Sequence, residues 1–337
     1  MDRDKEAQAV LAQFEDVEYE PLELDWIEYP SLYARVFGLL RKVSNAQDMT
    51  CVELSERMLD LTTVALNLNA ADFSVWTLRR FMLSRVPLCS RARWQREAEQ
   101  LSGLMIKQQK NYQVWNHRRA VVLALIDDVI SKKQCVEDEK AFVEMVLRAS
   151  PKNYHAWSHL QWLVGVSGDA EGEMAFTERM LDDDYRNNSA WNHRFFVLGR
   201  FKNQQAVRND IPFALCVLQK ARDNESCWNY LLALAGLAGD LEAWKSVKAQ
   251  ASSIVDQLPG QSLDSKCRRV EILARSALVR CGEAIVQLSF SDDELGHVRV
   301  QCAELVRLDS IRTQYWAWRG SEMDKMSGRR TTTTAHS

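Results

Sequence analysis

The same short phrase occurs three times in the middle of this sequence, and each copy has a basic residue at its first or second position. The copies read QKNYQVWNHRR from Gln109, KNYHAWSHLQW from Lys152 and RNNSAWNHRFF from Arg186. In each copy a cation (Lys110, Lys152 or Arg186) stands five residues before a tryptophan, at the start of a predicted helix. A cation there opposes the helix dipole, whereas a lysine beside free backbone N–H groups can hold a phosphate. The repeated choice therefore indicates that an anion, or an acidic partner surface, lies where these helix starts meet.

Two further positions distinguish the copies that contain Lys110 and Lys152 from the others. Tyr112 and Tyr154 stand three residues before their tryptophan, and Gln113 and His155 stand two before it. The other copies carry Phe73, Asn188 and Glu225 at the first position and Ser74, Ser189 and Ser226 at the second. Packing between hairpins is an alternative role for the tyrosines, but no packing role common to all copies requires Gln113 or His155. We predict that these four residues belong to the same site as the lysines.

The histidines favour a structural role over a metal site. His117, His159 and His193 each follow their tryptophan by two residues, which predicts a hydrogen bond shared between hairpins. His155 and His159 have the i, i+4 spacing of a metal-binding pair, but no acidic third ligand is near them in sequence. The sequence also contains no G-x-S-x-G elbow, phosphate-binding glycine loop or zinc-spaced cluster. We therefore predict no metal site on this chain and favour a subunit with an anion-binding rim over a free-standing enzyme.

The phrase belongs to a repeat that is centred on a tryptophan. Alignment places Trp76, Trp115, Trp157, Trp191 and Trp228 at intervals of 39, 42, 34 and 37 residues, with a weaker copy around Trp316. Periods of this length are typical of helical-hairpin solenoids. The Asp or Asn four residues before each of the first five tryptophans is suited to cap a helix, which places the tryptophan one turn inside the helix, in the core. The sequence therefore predicts an all-α fold, a superhelix of α-helical hairpin repeats.

Composition narrows the class of protein further. The chain has 337 residues, 46% of them hydrophobic, and its net charge of −3 provides no overall attraction to nucleic acid or an anionic membrane. The charged start, MDRDKEAQAV, and the lack of a long apolar run predict no signal peptide and no stable membrane insertion, hence a cytoplasmic protein. Polar composition predicts disorder for residues 1–25 and 326–337, leaving residues 26–325 as one repeat domain.

The tryptophan-centred phrases resemble those of the protein prenyltransferase α-subunit family, and most of all the α subunit shared by protein farnesyltransferase and protein geranylgeranyltransferase type I. The resemblance extends at least from Asn67 to Leu232, and IRTQYWAWRG at 311–320 resembles the last unit of that family. It implies a right-handed, crescent-shaped superhelix that wraps around an α/α-barrel β subunit, with which the chain forms an obligate heterodimer. The active site of such an enzyme lies at the junction of the two subunits.

The resemblance also implies a reaction and its cofactors. The enzyme transfers a farnesyl or geranylgeranyl group from its diphosphate to the cysteine of a C-terminal CaaX motif, in proteins such as small GTPases. Zinc, held by the β subunit, binds and deprotonates the acceptor cysteine, and magnesium is the second cofactor.

Matching the motifs position by position implies a role for seven residues of this chain. Lys110 contacts the diphosphate and stabilises its developing charge, and Tyr112 lines that site. Gln113 donates a hydrogen bond to the C-terminal carboxylate of the peptide, and Phe73 lies near the pocket for the last CaaX residue. The second contribution comes from Asn153, Tyr154 and His155, the latter two near the diphosphate.

The sequence departs from the family pattern at two positions. Phe73 stands where related subunits often carry tyrosine, which affects the expected preference for the last CaaX residue. Leu160 replaces the arginine that follows the repeated histidine, so that an ion pair is lost in this unit.

The alternative functions are the α subunit of a Rab-type geranylgeranyltransferase and a tetratricopeptide-like scaffold without a catalytic role. The sequence does not determine the preferred isoprenoid, because chain-length selection lies mainly in the partner.

Overall fold

A computed structural model of the chain describes residues 3–23, 27–44, 52–85, 89–126, 129–258 and 264–333. These ranges contain sixteen α-helices and no β-strand, which confirms the predicted all-α fold. The helices are α1 Arg3–Ala12, α2 Ser31–Ser44, α3 Glu56–Leu68, α4 Phe73–Leu83, α5 Arg91–Lys107, α6 Tyr112–Leu125, α7 Val129–Ala149, α8 Tyr154–Ser167, α9 Ala170–Asp183, α10 Asn188–Phe201, α11 Gln204–Lys220, α12 Glu225–Ala238, α13 Leu241–Asp256, α14 Ser265–Leu288, α15 Asp292–Leu308 and α16 Thr313–Thr333.

The helices form two compact units, Met1–Gly168 and Asp169–Ser337. In the first unit α3 packs on α4, α5 on α6 and α7 on α8, and the second helices of these hairpins, α4, α6 and α8, pack side by side. In the second unit the hairpins are α9–α10, α11–α12 and α13–α14, followed by α15 and α16. The predicted single domain of residues 26–325 is thus divided between two units.

The predictions for the ends of the chain differ from the structure. Disorder was expected for residues 1–25, but α1 covers 3–12 and packs on α3, with Ala7, Leu11 and Phe14 buried. The sequence signal was weak because only a few apolar side chains anchor this polar helix. At the other end α16 extends to Thr333, beyond the limit of 325 predicted for the ordered domain.

Each repeat helix begins at the predicted capping residue. Asp72, Asn111, Asn153, Asn187 and Asn224 are the N-caps of α4, α6, α8, α10 and α12, and each side-chain oxygen accepts a hydrogen bond from a backbone N–H two or three residues later. A cap of this kind stabilises a helix by about 1 kcal/mol. The prediction that these residues start the repeat helices is confirmed.

The repeated tryptophans are core residues, as predicted, and they also connect the loop to the helix. All six are buried, and in the first five copies the indole Nε1 donates to the backbone carbonyl six residues earlier, at 2.8–2.9 Å. Trp316, in the weaker copy, instead donates to the carboxylate of Asp309 at 2.9 Å. The conserved geometry of the first five copies therefore fixes how the chain enters each helix.

A buried carboxylate in the first helix of a hairpin links it to the hairpin before. Glu97 on α5 accepts from Arg79 on α4 at 2.6 Å and from His117 on α6 at 2.7 Å. Glu139 on α7 does the same with Arg118 at 2.8 Å and His159 at 2.7 Å. The histidine bond predicted between hairpins thus lies within one hairpin, and the arginine makes the connection to the preceding one.

Burial and charge set the protonation states of this network. Burial by itself raises the pKa of the Glu97 carboxyl, but the charge of Arg79 and the hydrogen bond from His117 outweigh it and hold that pKa well below its usual range. Burial lowers the pKa of His117, despite the favourable interaction with Glu97. The carboxylate is therefore ionised and the imidazole neutral near pH 7, so that the His117 Nε2–H donates.

The Leu160 departure removes one of these arginines, as the sequence indicated. Leu160 is buried at the position that Arg79, Arg118 and Arg194 occupy in their helices, so α8 provides no cation there. In the second unit, Asp210 on α11 accepts from Arg194 and from the Tyr230 hydroxyl, which takes the place of histidine. The network tolerates such exchanges because the buried carboxylate keeps at least one donor.

Candidate functional site

The N-terminal turns of α4, α6 and α8 present a row of exposed aromatic side chains. Phe73 is 60% exposed, Tyr112 is 64% exposed and Tyr154 is 76% exposed. We call these three residues the aromatic row. Large rings with this exposure cannot be explained by the packing of hairpin on hairpin, which was the alternative role for the tyrosines. They form a surface that is available to a ligand or a partner.

The capping asparagines bring the members of this row together. Asn111 Nδ2, at the start of α6, donates to Ala70 O before α4 at 2.7 Å, and Asn153 Nδ2, at the start of α8, donates to Gln109 O before α6 at 3.2 Å. The same two carbonyls accept the indole N–H groups of Trp76 and Trp115. Each helix start is therefore tied to the one before it.

Two of the three predicted cations are available at this surface. Lys110 and Lys152 are exposed, and neither has an ion pair or a hydrogen bond from its ammonium group to the part of the chain that the structure describes. Arg186, in the second unit, instead forms an ion pair with Asp223 at 2.8 Å. Arg186 therefore differs from the two lysines, because its charge is already matched within its own unit.

Gln113 lies beneath the aromatic row and not on its surface. The residue is 1% exposed, and its Nε2 donates to the Tyr112 hydroxyl oxygen at 2.9 Å. Its Oε1 is buried without a hydrogen-bond partner in the described residues. The Gln113 amide therefore has almost no exposed surface in this conformation, and one of its contacts is the Tyr112 hydroxyl.

Asn153 and His155 occupy different positions from each other. The Asn153 oxygen accepts from the backbone N–H groups of His155 and Ala156, and its Nδ2 donates to Gln109, so that both ends of the amide are used within the chain. The half-buried His155 ring packs edge-on against Tyr154, with ring centroids 5.6 Å apart. His155 thus belongs to the surface of the aromatic row, and Asn153 positions it.

The i, i+4 pair of His155 and His159 does not converge on one point. His159 is completely buried, donates to Glu139 and packs against the Trp115 ring. His155 lies at the surface beside Tyr154. The structure therefore gives the two histidines separate roles.

Two arginines that the sequence interpretation missed lie on the same helix faces as the aromatic row. Arg80 follows Phe73 by seven residues and Arg119 follows Tyr112 by seven, which places each about 10 Å further along the same side of its helix. Arg80 donates to Thr77 Oγ1 at 3.3 Å, and Arg119 donates to the Ser158 carbonyl at 3.0 Å. Comparing the position four residues after each tryptophan would have revealed them, since the later copies carry Gln161, Phe195 and Leu232.

The site therefore combines four cations with three exposed rings, all in the first unit. The cations are Lys110, Lys152, Arg80 and Arg119, and none of them forms an ion pair with a carboxylate within the described ranges. Such a surface can bind an anion and pack against an apolar or aromatic group. It offers no activated nucleophile, so its chemistry consists of charge stabilisation and positioning.

Comparison with known proteins shows the same repeats. Residues 55–86, 94–125, 136–166 and 170–201 match the family model of the protein prenyltransferase alpha subunit repeat. These segments correspond to the hairpins α3–α4, α5–α6, α7–α8 and α9–α10. The site therefore lies within matched repeats.

One similar protein and one similar structure extend this comparison. The chain is 30% identical over 228 residues to the protein farnesyltransferase/geranylgeranyltransferase type-1 subunit alpha of Candida albicans, covering 65% of this chain and 70% of that protein. The fold of the present chain is similar to that of a chain of Candida albicans protein geranylgeranyltransferase-I complexed with GGPP. The TM-score is 0.71 and the sequence identity 24%, and the match covers 91% of this chain and 96% of that chain. The relative supports the family, and the structure supports the fold.

Proposed function

The chain belongs to the protein prenyltransferase α-subunit family, and we propose that it is the α subunit of a heterodimeric protein farnesyltransferase or geranylgeranyltransferase type I. The enzyme transfers the isoprenoid group of a farnesyl or geranylgeranyl diphosphate to the cysteine of a C-terminal CaaX motif, in partners such as small GTPases. One observation carries the proposal. Lys110 is exposed without a carboxylate partner in the described ranges, two residues before the exposed Tyr112, at the start of a helix in a matched repeat.

Lys110 acts on the leaving group. When the cysteine sulfur forms its bond to C1 of the isoprenoid, the bond from C1 to the diphosphate oxygen breaks, and negative charge grows on that oxygen. An ammonium group that has no carboxylate partner among the described residues of its own subunit is ready to meet this charge, as catalysis by preorganised electrostatics requires. Lys152 and His155, at the equivalent end of α8, provide weaker support from the same side.

The aromatic row holds the two substrates. Tyr112 and Tyr154 line the diphosphate site, and His155 is held against Tyr154 by its cap, Asn153. Gln113 hydrogen-bonds the C-terminal carboxylate of the peptide after the Tyr112 hydroxyl has released its Nε2. Phe73 contributes an exposed ring without a hydroxyl near the last CaaX residue, so it contacts that residue by packing alone.

The zinc ion that the family resemblance implies does not fit the buried histidines and thiols that the structure describes. His117 and His159 direct their Nε2 atoms at buried glutamates, and burial raises the pKa of the Cys227 and Cys281 thiols to about 12. Thiols with such pKa values stay protonated and are poor zinc ligands. We assign zinc to the β subunit, and we place magnesium with the diphosphate.

The surroundings of the protein follow from the same proposal. No helix in the described ranges has the length and apolar character that crossing a bilayer requires. We place the heterodimer in the cytoplasm, where small GTPases with CaaX termini are made.

The test is co-expression with a barrel-type prenyltransferase β subunit, followed by transfer to a CaaX peptide with each diphosphate. We expect a stable complex that transfers at least one isoprenoid to the peptide and none to its Cys→Ser version. A requirement for an escort protein would favour a Rab-type subunit. A complex that never transfers would favour a scaffold and overturn the proposal.

A further inference from the structure

We propose that Arg80 and Arg119 bind carboxylate groups of the partner β subunit, so that the face of α4 and α6 below the aromatic row docks an acidic protein surface. The inference rests on the proposed function, because it needs a partner subunit. It goes beyond that function in naming which residues of this chain recognise the partner and what chemistry they recognise.

The first argument is a contrast between neighbouring arginines. Arg79 and Arg118, each one residue earlier in the chain, are buried and form ion pairs with Glu97 and Glu139 at 2.6 and 2.8 Å. Arg80 and Arg119 have only neutral partners in the described ranges, and Arg119 also lies 5.5 Å from the centre of the Trp162 ring. The part of the chain that the structure describes therefore supplies a carboxylate to one arginine of each pair and none to the other.

The second argument is burial. Both side chains are half-buried, and one N–H group of each, on Arg80 Nη1 and Arg119 Nε, is shielded from solvent without an acceptor in the described residues. Burial lowers the pKa of both guanidinium groups, which means that the cations have lost part of their hydration. A cation with reduced hydration and no counter-ion is unfavourable in the separate subunit and gains most from an anion supplied from outside.

The third argument decides between an acidic protein surface and the diphosphate. Along their own helices the two arginines lie about two turns beyond Phe73 and Tyr112, and Arg119 contacts α8 at Ser158, one turn beyond Tyr154, so both lie further from the helix starts than the lysines do. Arginine next to exposed aromatic rings is the composition of protein–protein interface centres, and the planar guanidinium matches a carboxylate in two parallel hydrogen bonds. The lysines at the helix starts remain for the diphosphate.

The main experiment measures how fast the heterodimer dissociates. Arg80→Gln, Arg119→Gln and the double variant are co-purified with the β subunit, and exchange against labelled β subunit gives the dissociation rate. Arg148→Gln is the matched control, since Arg148 is exposed and paired with Glu144 in its own helix at 3.0 Å. We expect dissociation to become roughly 30-fold faster for each site variant, and less than threefold faster for the control. Rates within threefold of wild type for the double variant would overturn the inference.

A second variant identifies the group that the arginine meets. In the Arg119→Lys heterodimer, a carbodiimide should join the new amine to an Asp or Glu of the β subunit, and mass spectrometry locates the link. Links only to carboxylates of the same chain would contradict the inference. A raised KM for the isoprenoid diphosphate in the Gln variants, with normal dissociation, would assign the arginines to the substrate instead.

The two proposals fail in distinguishable ways. If the wild-type heterodimer forms and transfers the isoprenoid while the Gln variants dissociate normally, only the docking inference is wrong. If no β subunit binds the wild-type chain, both the proposed function and the docking inference are wrong.

Discussion

The two units of the molecule repeat the same hairpin but use its exposed positions differently. In both, an Asn N-cap begins the helix, a tryptophan fills the core, and an arginine three residues later pairs with a buried carboxylate, as in Arg118–Glu139 of the first unit and Arg194–Asp210 of the second. Five residues before the tryptophan they diverge. Lys110 has no ion pair in the described ranges, whereas Arg186 is paired with Asp223.

The same divergence occurs at the other outward positions. Tyr112 and Arg119 of the first unit correspond to Asn188 and Phe195 of the second. The buried positions are thus shared while the outward ones differ, because packing constrains the former and leaves the latter free to acquire function. A repeat protein can therefore place a site in some copies without weakening the scaffold of the others.

The largest expected effect is a loss of stability when the buried carboxylate network, which both units share, is disrupted. Replacing Glu97 by Ala leaves Arg79 and His117 buried beside an unfilled space, and we expect a loss of about 3–5 kcal/mol in the free energy of unfolding. Urea unfolding of the heterodimer measures it. Glu242→Ala, which removes an exposed carboxylate paired with Lys245 at 3.4 Å, is the control and should cost less than about 1 kcal/mol. Equal losses for both variants would show that the buried network does not stabilise the hairpins.

The next effect concerns what the units do not share. Lys110→Ala should lower the rate of the chemical step by roughly 10²–10³, equivalent to about 2.7–4 kcal/mol, with a much smaller change in diphosphate binding. Lys152→Ala should lower it less, and Arg186→Ala should leave it unchanged because that cation is paired. A single-turnover transfer assay separates them. A Lys110→Ala rate within threefold of wild type would show that the unpaired lysine of the first unit has no more catalytic effect than the paired Arg186 of the second.

A smaller effect tests the caps, which are alike in structure and differ in what they position. Asn111→Ala and Asn224→Ala should each lower the free energy of unfolding by about 1–2 kcal/mol, since each loses the cap and a bond to the preceding loop. Only Asn111→Ala should also slow isoprenoid transfer, because without the cap Lys110 and Tyr112 are no longer held in position at the start of α6. Equal transfer rates for the two variants would show that transfer does not depend on the hydrogen bond between the helix starts of the first unit.

The smallest effect depends on pH. The pKa of His117 and of His159 is lowered in the folded chain by burial, so the unfolded chain binds these protons first as pH falls below about 6.5, and stability decreases by at most about 1.4 kcal/mol per pH unit for each. The hairpin α11–α12 has Tyr230 in place of histidine. As pH is lowered from 7 to 5, hydrogen exchange should therefore show that α5–α6 loses protection at a higher pH than α11–α12. Simultaneous opening would contradict this.

The amino-acid sequence by itself determined the repeat, the helix starts, the buried tryptophans and the family. Each depends on patterns within about forty residues, such as Asn111 four residues before Trp115, and these patterns act locally through capping and periodic burial. Even the loss of an arginine at Leu160 was visible, because the copies can be aligned without knowing their contacts.

Only the tertiary structure decided which charges are available. Whether Arg186 is free depends on Asp223, 37 residues away, and the neutral acceptor of Arg119 is Ser158, 39 residues away. Arg80 and Arg119 became candidates because, among the described residues, carboxylates pair with their neighbours Arg79 and Arg118 and not with them. Charge and burial are properties of the surroundings of a side chain, and residues distant in sequence supply those surroundings.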